Sequence, residues 1–165
     1  MFVPLHDANT FRYIKHSYVN LTIIGLNVLI FLFTVFGATE DFSNASVLGL
    51  GYIPSVINDL VELDPQFVLV PESLNYITYA FLHADLLHLG GNMLFLWVFG
   101  DNIEDAMGHL KYLIFYLACA AAGAFLHGVI LPDSEQPLIG ASGAIAGVVV
   151  AYLMITVLIF VVINL

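Results

Sequence analysis

Residues 18–36 read YVNLTIIGLNVLIFLFTVF. This uncharged stretch has the length that a helix needs to cross the ~30 Å hydrocarbon core of a bilayer. It exceeds the ~7–15-residue apolar core of a cleaved signal peptide, so it is read as a retained first span. Upstream lies a polar segment, MFVPLHDANTFRYIKHS (1–17), with two of the three basic residues, Arg12 and Lys15. Downstream, three more apolar runs cover about 84–100, 111–131 and 139–163. The polar stretches DNIEDAMGH (101–109) and PDSEQP (132–137) separate them. Only 10% of the chain is charged, against about a quarter in a soluble domain, which makes lipid the expected solvent. The expected fold is all-α, a polytopic transmembrane bundle with four spans in one domain, 1–165. No internal repeat divides it.

Thirteen acids face three bases, for a net charge of -10. Such a chain lacks the basic surface that nucleic acid requires. The bases also orient the bundle. Arg12 and Lys15 precede the first span and Lys111 opens the third, so with four spans all three fall on one side, which the positive-inside rule makes cytoplasmic. Segment 1–17 is then cytoplasmic. Segment 37–82 lies outside, with Glu40, Asp41, Asp59, Glu62, Asp64 and Glu72 and no base. Its prolines (54, 65, 71) forbid a span, and apolar stretches such as Val47–Val56 suit a loop set in the membrane interface. A multi-pass protein of the plasma (bacterial inner) membrane is expected. The single cysteine, Cys119, sits in an apolar run and reads as packing.

Polar groups in a span are costly and are functional candidates by default. The second span opens with His83, Asp85 and His88, with Asn92 one turn later. His88 and Asn92, at i and i+4, share a helical face. The fourth span opens with Gly140-Ala141-Ser142-Gly143. A serine at a helix start sits beside unpaired N–H groups that favour negative charge. An oxyanion there could be held by the Ser142 N–H with donors from His88 and Asn92. Both helix starts lie on the outer side, at a shared depth. Other readings stand beside this one. Small residues, including the Gly143/Gly147 pair, serve close packing in membrane helices. His83, Asp85 and His88 lack the H-E-x-x-H spacing of zinc proteases, so no metal is expected. Transport through intramembrane His, Asp and Asn is a third class.

Taken together, HADLLHLGGNM (83–93), the Glu104/Gly108 turn and GASGAIAG (140–147) resemble the rhomboid family, as does VPLHD (3–7) ahead of a first span containing Gly25 and Asn27. The likeness runs from about residue 3 to 153. It implies an intramembrane serine endopeptidase of six or more helices that cuts transmembrane segments near the outer surface, without a cofactor. By motif match Ser142 is the nucleophile. Asn92 and His88, with the Ser142 N–H, stabilise the oxyanion. Gly140 belongs to the nucleophile motif, and His83 has a supporting role. The implied partners are a transmembrane protein substrate and membrane lipid, and a homo-oligomer would cover the flanks of a four-helix bundle. The family's base is a histidine two helices beyond the serine. Only 23 residues follow Ser142 and none is histidine, so the chain is expected to stop before it, leaving His127 or His88 as substitutes. The alternative is an inactive relative that binds transmembrane helices without cutting them.

Overall fold

The computed structural model describes residues 13–36 and 39–164. Four long rods dominate. Helix α1 (Tyr18–Phe31) continues through a π-helical turn, Leu32–Phe36. Short helices α2 (Glu40–Leu50), α3 (Pro54–Ile57) and α4 (Glu72–Thr78) follow. The second rod is α5 (Leu86–Phe95), a π turn (Leu96–Gly100) and α6 (Asp101–Met107), joined without a break. The third is α7 (His109–Ile130) and the fourth α8 (Ser142–Asn164). At 22 residues, α7 is about 33 Å long at 1.5 Å per residue, enough to cross a bilayer. Tyr18–Val35 is also long and apolar enough to cross, and Ser142–Leu158 forms a shorter apolar stretch.

Three boundaries differ from the sequence expectation. The second rod starts at Leu86, because Asp85 caps it by accepting the His88 N–H at 2.8 Å. The polar stretch after it is not a turn. It stays helical to Met107 and breaks at Gly108, whose φ of +79° suits glycine. The fourth rod begins at Ser142, not Ile139, because Gly140 has φ +114° and its N–H donates to the Tyr79 carbonyl at 2.9 Å. Segment 39–82 is also more regular than a loop. Its three helices fold back so that Asn75 Nδ2 donates to the Gly51 carbonyl (2.6 Å) and Thr78 Oγ1 to the Leu50 carbonyl (2.6 Å).

The core is mainly apolar, as in a soluble protein, but large apolar side chains also cover the surface and a few polar ones lie deep inside. Leu29, Phe33, Ile114, Phe125 and Met154 are exposed, whereas Asn20, Asn27, Tyr112 and Glu104 are fully buried. Lipid accepts the first set, and backbone or side-chain partners must satisfy the second. Two clusters show how. Ser17 makes no side-chain cap on α1. The Glu104 carboxylate, from α6, accepts the Val19 and Asn20 N–H groups instead (3.0 and 2.7 Å), while Asp105 accepts those of Tyr13 and Ile14. The π turn at Leu96–Gly100 frees a carbonyl. Asn20 Nδ2 donates to that Leu96 oxygen at 2.9 Å, and Tyr112 Oη donates to Asn20 Oδ1 at 2.8 Å. Gly100 lies against the same amide, leaving no room for a Cβ. Asn20→Leu is therefore expected to lower thermal stability by about 1–3 kcal/mol, the cost of stranding buried polar partners. Thermal unfolding in detergent checks it.

Helices α7 and α8 cross antiparallel on small residues. A Cβ on Gly123 would lie 3.0 Å from the Gly143 Cα, and Gly147 rests on the Cys119 thiol. The Gly143/Gly147 pair thus packs as its spacing suggests, and Cys119 is a packing residue.

Candidate active site

Three segments meet where α8 begins. Residues Tyr79–Phe81 form a 3-10 turn after α4, and an extended stretch leads from it into α5. Tyr79 ties the segments together. Its carbonyl accepts from Gly140, its hydroxyl donates to the Ala120 carbonyl on α7 (2.8 Å), and its ring end lies between Gly123 and Gly143. The sequence reading missed this residue. Its only signal is an aromatic ahead of the histidine motif, which an ordinary core residue would share.

His83 precedes the helix and is buried, with its ring 5.0 Å from that of His88 in an edge-to-face contact. The two rings meet because His83 lies ahead of the helix and only His88 is helical. Neither ring nitrogen of His83 has a hydrogen-bond partner among the described residues. Burial, then the neighbouring His88, push its pKa down to about 4, partly opposed by the Phe81 backbone. The ring is therefore neutral near pH 7.

His88 reaches across to the fourth rod. A Cβ placed on Gly140 would lie 2.5 Å from His88 Nε2 and 3.7 Å from Asn92 Nδ2. The Asn92 amide nitrogen is buried with no acceptor among the described residues. Two residues on, Ser142 is exposed as the first residue of α8. As a first-turn residue its N–H has no intrahelical acceptor. The structure thus brings Gly140, Ser142, His88, Asn92 and His83 into one neighbourhood. None of His83, His88 and His127 hydrogen-bonds to the Ser142 hydroxyl. His127 lies on α7, one turn beyond Gly123 and towards the same end of the bundle. Asp85 is occupied as the α5 cap.

The Rhomboid domain model matches residues 71–162, more than half of the chain and all of these positions. The chain belongs to the rhomboid family. It is similar to "Rhomboid protein 1, mitochondrial" of Saccharomyces cerevisiae, at 32% identity over 64% of this chain and 32% of the relative. It is similar to "RHOMBOID-like protein 6, mitochondrial" of Arabidopsis thaliana, at 33% over 63% and 34%. It is also similar to "Rhomboid protease GluP" of Bacillus subtilis, at 37% over 48% and 15%. The matched part spans about a third of the length of the first of these relatives. Membership in the rhomboid family makes this an integral membrane protein.

Gly140 supports a rhomboid-specific prediction. With φ at +114° and His88 against its Cα, alanine is strained in the backbone and displaces the imidazole. Gly140→Ala is expected to cost about 1–3 kcal/mol of stability. It should also change the His88 ring resonances, read by NMR in micelles.

Proposed function

We propose that this rhomboid is an intramembrane serine endopeptidase that cuts transmembrane segments near the outer membrane surface. Ser142 is the nucleophile; its Oγ attacks the scissile carbonyl, and the proton it gives up would pass to the imidazole of His127, towards the same end of the bundle, and from there to the leaving amine. The Ser142 N–H, Asn92 Nδ2 and His88 Nε2 hold the oxyanion of the tetrahedral intermediate. Gly140 lets the His88 ring approach, and neutral His83 supports that ring. The observation that carries the reading is the buried Asn92 amide nitrogen, with no partner among the described residues, close to Gly140 and two residues from an exposed serine. A buried donor without an acceptor is costly. Developing negative charge at Ser142 would supply that acceptor, which is how electrostatic preorganisation accelerates acyl transfer. Lys15 and Lys111 sit at the opposite end of the bundle, so the positive-inside rule puts that end in the cytoplasm and the site outside. Segment 39–82 is then an external structure at the interface. Residues 1–12 lie outside those described.

The test is cleavage of a transmembrane reporter in liposomes by the protein and by its Ser142→Ala variant. Equal cleavage by both overturns the reading. A second reading rests on the free Ser142 hydroxyl, on which no imidazole is poised. In it the protein binds transmembrane helices without cutting them. It expects crosslinking to a reporter helix that survives Ser142→Ala, with no cleavage by either protein.

A further inference from the structure

Away from Ser142, a cleft of about 420 Å³ opens between the 39–82 segment and the end of α7. Its size falls in the ~300–1,000 Å³ range of small-molecule sites. Tyr52 forms the floor, buried, with its hydroxyl against the Gly128 Cα, where no side chain would fit. Tyr76 stands edge-to-face on Tyr52 with ring centroids 4.9 Å apart. Phe125 and Val129, one turn apart on α7, form the opposite wall, and Asp133 stands at the rim. Asn58 fixes the rim by donating to the Pro132 carbonyl at 3.1 Å.

We infer that this cleft binds the quaternary ammonium head of a membrane phospholipid. Aromatic rings attract a cation within about 6 Å through their quadrupoles, and cages of them recognise quaternary ammonium groups. Asp133 adds a full negative charge. A primary ammonium needs several hydrogen-bond acceptors, whereas this wall is chiefly ring and aliphatic carbon. The surrounding field has the same sign. Segments 39–82 and 132–137 carry eight acids and no lysine or arginine, while Lys15 and Lys111 lie at the far end of the bundle. An anionic head finds no partner here. A lipid is the occupant, and not a soluble cation, because the cleft continues onto apolar surface. Phe125 is exposed one turn deeper along α7 than Val129, where an acyl chain would lie.

The experiment uses the protein in nanodiscs of equal phosphatidylcholine and phosphatidylglycerol, followed by gentle extraction and native mass spectrometry of retained lipid. Phosphatidylcholine should be retained over phosphatidylglycerol by at least about fivefold, the effect of one solvent-exposed cation–π contact. Tyr76→Ala and Asp133→Asn should each remove the preference. Asp133 is exposed, so its variant is expected to fold even if the tyrosine variant does not. Equal retention of both lipids, or a preference untouched by Asp133→Asn, overturns the inference. So does capture of free glycerophosphocholine as readily as phosphatidylcholine, which would mark a site for a soluble cation. Retention is read without any peptide cleavage, so the result is independent of the proposed protease activity.

Discussion

Ser142→Ala is expected to reduce reporter cleavage by about four orders of magnitude or more, the usual consequence of removing a serine nucleophile. The fold should be unaffected. Ser142 is exposed, and its hydroxyl makes no hydrogen bond among the described residues, so alanine removes no structural contact. Alanine also retains the backbone N–H and the start of α8. Asn92→Ala provides the graded comparison. Losing one oxyanion donor costs about a hundred- to a thousandfold in turnover, and the variant removes a buried amide nitrogen that lacks a partner among the described residues, so stability should hold. A hydroxyl-dependent loss with intact melting, together with a smaller loss at Asn92, is the pattern of a nucleophile and its oxyanion donor. If Asn92→Ala instead melts the protein without a specific effect on turnover per folded molecule, Asn92 is interhelical glue and the oxyanion assignment fails.

The apolar runs were legible because a bilayer leaves little choice. Uncharged stretches of spanning length must be helical to satisfy their own backbone, and all four rods lie where composition puts them. What composition could not locate were the ends of the helices, which side chains set. Asp85 caps α5, a cap residue hidden inside a motif read for chemistry. The polar look of 101–109 suggested a turn, yet Glu104 accepts from the start of α1 and Asp105 from Tyr13 and Ile14 just before it, and the helix persists to Met107. The proximity of His88 and Asn92 to the Gly140–Ser142 segment was legible because they carry a motif and their helices start at the same end of the bundle. The contact between His83 and His88 was not, since it depends on His83 lying before the helix. Tyr79 was invisible for a deeper reason. Its role is to join residues 41 and 61 positions downstream, Ala120 and Gly140, and no local pattern encodes such a link.

Glu104→Ala is expected to lower folding stability by about 3–5 kcal/mol, the range for breaking a buried charge network. Glu104 is fully buried at the opposite end of the bundle from Ser142. One carboxylate oxygen accepts from the Val19 N–H at 3.0 Å and the other from the Asn20 N–H at 2.7 Å, while His109 Nδ1 also bonds to it. The carboxylate therefore does for α1 what a local cap residue ordinarily does, with a full charge placed at the positive end of the helix. Truncation strands the buried Asn20 N–H and the half-buried Val19 N–H beside the Asn20–Tyr112 network. Glu104→Gln should be intermediate, because its amide presents an NH₂ to one of the two donors. His109→Ala should cost no more than about 1 kcal/mol, since that partner is 43% exposed and water can replace it. The ordering Ala, Gln, then His109→Ala separates a helix cap from a surface ion pair, and unfolding in detergent reads it. An Ala variant that melts with the parent would end the cap assignment. Should the variant fold at low temperature, cleavage per folded molecule should match the parent's, because the cap holds the bundle together at the end away from Ser142 and touches none of the site residues.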